Sequence, residues 1–245
     1  MDFFKEDKER NSLVKSNKLK DLKKSYKKRK RTNPNTLQFW DQMISKNTKS
    51  DGLDPITEER VKWAVDFIKP DKIKLLDIGV GYGYFEKLLL EKKKKLELFG
   101  IDISQKGLER IRKKIPGEFK HGRVEKIPYR DSSFDIVVCL EVLEHISATD
   151  IFKALKEIRR VLKKDGQFVV SVPVNERYSK SYNPNRHMRA YTPELFLAEL
   201  KIARFKVEKS KEFYAFKNLY LLKNILRKIL KNRWKPNIML VSAIN

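Results

Sequence analysis

Asp77 and the glycines Gly79, Gly81 and Gly83 occupy one short run, Leu75-Leu76-Asp77-Ile78-Gly79-Val80-Gly81-Tyr82-Gly83, in which an apolar stretch meets a glycine at every second position. Missing side chains permit a tight turn and let a ligand lie against bare backbone. If a helix opens there, its first N–H groups face that ligand. A carboxylate two positions before the first glycine can hold backbone amides or the ammonium end of a ligand. Dinucleotide-binding turns place their third glycine one position later, so this spacing argues against a nicotinamide dehydrogenase.

A second carboxylate, Asp102, follows Asp77 by 25 positions in Gly100-Ile101-Asp102-Ile103-Ser104. At the end of a strand it can accept hydrogen bonds from both hydroxyls of a ribose. Further on, the apolar run ending at Leu140 leads into Glu141-Val142-Leu143-Glu144-His145. If a helix begins there, positions i, i+3 and i+4 share a face, and Glu141, Glu144 and His145 can hold a hard divalent ion such as magnesium or manganese. The plainer role for the same residues is to shape the turn. His187, one of three histidines, stands in a polar loop between Val172 and Thr192. An imidazole titrating near neutrality suits proton removal, so His187 is the candidate general base, or a fourth metal ligand. The plainer role for His187 and Arg189 is to fix the loop and cap the next helix. His121 reads as surface.

These residues need a scaffold that brings strand ends together. From residue 74 the chain alternates apolar stretches, expected as strands at 74–78, 96–101, 119–124, 134–140 and 167–172, with helical patterns at 84–93, 104–114 and 149–163. Such alternation implies a parallel sheet with helices on both faces, with ligands at the C-terminal strand edge. A helix at 193–203, a strand near 205–213, a basic helix near 217–231 and a final strand at 238–244 complete the pattern, with helices also expected from Phe39 and over 55–69. Residues 5–31 read as a charged helix or arm, broken at Asn33-Pro34-Asn35.

Taken in order, the glycine turn, the Asp102 strand end, the segment Gly122-Arg123-Val124-Glu125-Lys126-Ile127-Pro128-Tyr129 and the Glu141–Ile146 sequence resemble class I S-adenosylmethionine-dependent methyltransferases, over about residues 60–245. The likeness extends to the small-molecule type of the ubiquinone-pathway O-methyltransferases. It implies an α/β, Rossmann-like three-layer sandwich whose seven-stranded sheet is mostly parallel with an antiparallel last strand. It also implies S-adenosylmethionine as cofactor, held by Asp77, Gly79, Gly81, Gly83, Asp102, Ile103, Val124, Glu125 and Leu140. Arg123 stands where many members have an Asp for the adenine amino group, so adenine is expected to be read mainly by backbone near Val124. Glu-x-x-Glu-His sequences bind magnesium or manganese in the ubiquinone-pathway enzymes and in small-RNA 3′-terminal 2′-O-methyltransferases, which marks Glu141, Glu144 and His145 as metal candidates.

The chain has 245 residues, enough for one sizeable domain, divided here into a basic extension, 1–36, and a methyltransferase domain, 37–245. Its net charge of +24 is concentrated at the ends: 15 Lys/Arg against 6 Asp/Glu in residues 1–50, and 12 against 2 in residues 201–245. Clustered cations attract phosphate, on RNA or on an anionic membrane, although a lysine-rich solvated surface looks the same. The single cysteine, Cys139, excludes an internal disulfide and fits a reducing cytoplasm. No stretch approaches the roughly 18 apolar residues of a membrane span. The expected activity is methyl transfer to a hydroxyl of a small metabolite or lipid-linked glycan, with RNA methylation and non-catalytic cofactor binding as the alternatives.

Overall fold

The computed structural model describes residues 3–26, 33–46, 53–69, 74–92, 96–176, 183, 185–215, 223, 225–226 and 234–245. Seven strands form one sheet: β1 (Lys74–Ile78), β2 (Glu97–Asp102), β3 (Glu118–His121), β4 (Phe134–Leu140), β5 (Leu162–Pro173), β6 (Lys206–Phe213) and β7 (Ile238–Ile244). Their order is β3-β2-β1-β4-β5-β7-β6, and only β7 runs antiparallel to its neighbours. This is the Rossmann-like sandwich expected, with its antiparallel last strand.

Alternation along each strand divides the apolar residues between two faces. Leu75, Ile136, Val138 and Val169 join one core with helices α4 (Pro55–Phe67), α5 (Tyr84–Lys92) and α6 (Gln105–Arg112). Leu76, Val137, Cys139 and Val170 join the other, with α7 (Ile151–Val161) and α8 (Pro193–Ile202). The central strands are buried on both faces, which is why they read as continuous apolar runs. Cys139 is a fully buried free thiol.

The sheet's strand order reverses at β1, which pairs β2 on one side and β4 on the other. Side chains beyond the C-terminal ends of these three strands therefore face one crevice.

Helices α1 (Phe3–Lys15) and α2 (Leu19–Ser25) dock against α8, separated by a turn at Asn17, whose φ is +57°. Asp7 accepts from Arg189 Nε at 3.2 Å and from the Ala190 N–H at 2.9 Å; Arg189 also pairs with Glu199, which accepts from the hydroxyls of Tyr26 and Tyr191. Arg189 is fully buried, and a guanidinium persists there because two carboxylates share its donors. Residues 3–26 thus hold the loop before α8 in place.

One strand is shorter than the sequence suggests. β3 ends at His121 instead of residue 124, because Arg123 and Lys126 pair across a tight turn. The basic run Lys27–Arg31 and most of the basic helix expected at 217–231 lie outside the described residues. Among the described residues, no helix is long and apolar enough to cross a membrane.

Candidate active site

A cavity of about 640 Å³ opens at the strand-order reversal. Its volume falls within the range of roughly 300–1,000 Å³ common for small-molecule sites. Gly79, Gly81, Asp102, Ile103, Val124 and Glu125 line one part of it; Glu141, Glu144, His145 and His187 line another. Two runs distant in sequence therefore share one space. Asp77, Gly83 and Leu140 are not among the lining residues.

The glycine turn is shaped by contact as well as conformation. Gly79 has φ +83°, and a Cβ there would fall 2.5 Å from Val142 Cγ2, so any side chain would collide with the segment after β4. Gly81, at φ +51°, would place a Cβ no nearer than 3.9 Å to other atoms, which leaves its cavity side open to a ligand. At Gly83 the space is filled by Ile111 and Ile115.

Asp102, at the end of β2, ties this turn to the next helix. Its carboxylate accepts from the Gly81 N–H at 2.9 Å and from the Ser104 N–H at 2.7 Å. Burial raises its pKa, while these backbone donors oppose the shift. Each carboxylate oxygen keeps a second acceptor position, so the group can still receive hydroxyls. Ser104 caps α6 by accepting from Gly107 N, and its hydroxyl donates to Asp41 Oδ1 at 2.6 Å. Asp41 lies on α3 (Leu37–Lys46), whose Phe39, Trp40, Met43 and Ile44 line the cavity.

Asp77 is a buried side chain. Its carboxyl is buried beside Glu86 on α5, with Asp102 and Arg60 nearby, and Asp77 Oδ1 and both Glu86 carboxyl oxygens have no hydrogen-bond partner. Burial pushes Asp77 up to about 7, and Glu86, buried beside Asp77, lies well above the usual carboxylate range. Glu86 is accordingly the carboxyl of the pair that keeps its proton.

At the opposite end, Glu141 has φ +57° and precedes a 3-10 turn, Leu143–His145. The α-helical start that would align Glu141, Glu144 and His145 on one face does not form. Glu141 instead accepts from Ser171 Oγ at 2.8 Å, and Ser171 receives Arg60 Nη1 at 3.3 Å. Glu144, His145 and His187 do gather, each offering a ligand atom within 4.8 Å of the others. Glu144 Oε2 and His145 Nδ1 are buried without a hydrogen-bond partner. Burial, with Glu141 nearby, raises Glu144 well above the carboxylate range; burial and the neighbouring His187 push His145 down to about 3. The corner is therefore neutral at Glu144 and His145.

His187 Nδ1 lies 2.7 Å from Glu176 Oε2, and its ring meets that of His145 edge-on at 4.8 Å. The loop is pinned to the turn by Met188 N and Arg189 N, both donating to the Glu144 carbonyl.

Other contributors were not singled out as site residues from the sequence. Asn33 and Asn35, before residue 36, line the cavity; both donate to the His145 carbonyl, and Asn35 also donates to that of Arg186. Trp40 packs edge-on against His145 at 4.9 Å. Their sequence signal was only a helix break and a helix start. Glu125 pairs with Arg123, whose guanidinium lies at the surface.

A methyltransferase domain model matches residues 76–170, which contain both the glycine turn and the Glu141–His145 segment. A putative methyltransferase of Bacillus subtilis, YrhH, is 37% identical over 142 residues, covering 56% of this chain and 74% of its own. A demethylmenaquinone methyltransferase of Thermotoga maritima is 32% identical over 146 residues, 57% of this chain and 62% of that one. The crystal structure of an S-adenosylmethionine-dependent methyltransferase from Archaeoglobus fulgidus superposes with TM-score 0.64 at 20% identity, over 84% of this chain and 100% of that chain.

The acid pair under the glycine turn predicts a pH dependence of stability. Both carboxyls have folded pKa values above their unfolded ones, so their contribution is full in acid and is lost as pH rises past the ordinary carboxylate value. Denaturant unfolding of Glu86→Gln between pH 6 and 8.5 should show a stability slope less negative than wild type by up to about 1.4 kcal/mol per pH unit. Equal slopes would mean that Glu86 is ionised in the folded protein.

Proposed function

The chain belongs to the class I S-adenosylmethionine-dependent methyltransferases, and on that premise we propose that it transfers the methyl group to a hydroxyl of a small-molecule acceptor, such as a metabolite or lipid-linked glycan. The observation that carries this reading is one cavity lined by Gly79, Gly81 and Asp102 at one part and by His187 at another. Asp102 would receive the ribose hydroxyls, and the open backbone at Gly81 would receive the amino-acid end. Ile103 and Val124 offer apolar walls for adenine, with Glu125 at its edge.

When bound, S-adenosylmethionine supplies an already activated methyl group, so the residues of this chain need only align the acceptor and take its proton. His187 would accept that proton. Around it Glu141, Glu144 and Glu176 line the cavity, and among the described lining residues the one guanidinium is that of Arg123. The carboxyl groups of Glu141 and Glu176 on the acceptor side disfavour a phosphate chain there, which supports a neutral small acceptor over RNA. The alternative, RNA methylation through the basic ends, draws on segments largely outside the described residues. A cofactor-binding protein without catalysis would keep the Asp102 half and transfer nothing.

A divalent cation is a second reading of the His187 corner, favoured by the orphaned Glu144 Oε2 and His145 Nδ1. Glu144, His145 and His187 would hold it, with Glu144 losing its proton. Magnesium or manganese there would acidify an acceptor hydroxyl. Calorimetric titration with Mn²⁺ should give heat that disappears in Glu144→Gln; no heat in the wild type removes the metal.

Calorimetry with S-adenosylhomocysteine tests the cofactor assignment. Losing two charge-assisted hydrogen bonds should make Asp102→Ala bind at least about 100-fold more weakly than wild type. Unchanged affinity would remove Asp102 from the site. Label from methyl-labelled S-adenosylmethionine should then enter hydroxylated small molecules; label entering RNA alone would overturn the acceptor class.

A further inference from the structure

We infer that Glu176 is a positioning residue that fixes the proton of His187 on Nδ1 and so leaves Nε2 as the basic nitrogen of the ring. The inference rests on the reading of His187 as the group that receives a proton. It goes further by naming the residue that sets which nitrogen does so.

Three observations carry it. Glu176 Oε2 stands 2.7 Å from His187 Nδ1, and an ionised carboxylate can only accept, so the ring nitrogen facing it must be the donor. Both side chains line the same cavity, with Glu176 18% and His187 7% exposed, which limits competition from water for their bond. The geometry around them is tightly held. Asn183 accepts from the His187 N–H at 2.9 Å and donates to its carbonyl at 2.8 Å, fixing both backbone polar groups of that residue.

Glu176 comes from the far end of the same loop, just after β5. There Val174 bridges Tyr191, and Asn175 N donates to the Tyr191 carbonyl at 2.8 Å. The two ends of the loop are thus clamped together, and the Glu176–His187 pair spans the clamp. The His145 ring packs against His187 edge-on at 4.8 Å.

In the reaction, the acceptor's hydroxyl proton passes to Nε2, giving an imidazolium whose charge Glu176 stabilises through the Nδ1–H bond. If a divalent cation occupies the corner, the same bond orients the imidazole as a ligand through Nε2. Both uses require the Nδ1–H form. A free histidine side chain in water favours the other tautomer, so the carboxylate's effect is visible without any knowledge of the acceptor.

Long-range ¹H–¹⁵N spectroscopy of the full chain labelled at histidine, with S-adenosylhomocysteine at saturation and pH 8, reads the tautomer directly. There are three histidines, so His121→Gln and His145→Gln assign the spectrum. The wild type should show His187 protonated at Nδ1 by roughly tenfold over Nε2, as expected for a charge-assisted bond. In Glu176→Ala the Nε2–H form should become the majority. Nε2–H dominant at His187 in the wild type would overturn the inference even if the variant does not fold, and so would a Glu176→Ala spectrum that keeps Nδ1–H. Failure of the wild type to bind S-adenosylhomocysteine would instead sink the methyltransferase site while leaving the tautomer result standing.

Discussion

One carboxylate organises the ligand-facing half of this protein. Asp102 accepts from the amides of Gly81 and Ser104, so the end of β2, the glycine turn after β1 and the N-terminus of α6 form a single unit. Each partner alone is a common element. Held together at the point where strand order reverses, they define a crevice with a buried acceptor at its base and bare backbone beside it. The acid pair Asp77–Glu86 lies beneath this unit, where sharing one proton avoids two adjacent buried charges.

The other half is built by segments that a generic sheet does not supply. Helix α3 is fastened to the cofactor side by Asp41 on Ser104, and its Trp40 packs on His145. The loop carrying His187 is held by Asp7 through Arg189 and by Asn35 through the Arg186 carbonyl. The N-terminal helices therefore brace the loop that carries His187.

Much of this was legible in the residues. The strand ending at Ile78, the glycine turn and the strand of Phe134–Leu140 carry their own pattern: short buried runs closed by residues that permit a turn. The lone antiparallel strand was expected from family likeness, and pairing confirms it. What the residues did not disclose depends on distant partners. Glu176 looked like any loop acid until the β5–Tyr191 bridge brought it to His187, and Asn35 looked like a helix breaker until it met the Arg186 carbonyl. The spacing of Glu141, Glu144 and His145 suggested a helical face, but a left-handed backbone at Glu141 sends its side chain to Ser171, leaving His187 to complete the cluster. Asp77 was placed on the ligand by its position two before a glycine. Spacing alone could not reveal that Glu86, in the first turn of the following helix, is buried beside its carboxyl.

The most direct measurement is a crystal structure with S-adenosylhomocysteine bound. The account predicts both ribose hydroxyls within about 3.2 Å of the Asp102 carboxylate, the amino-acid end along Gly79–Gly81, and the sulfur turned toward His187. A ribose distant from Asp102, or a ligand seated in a different cavity, would contradict it.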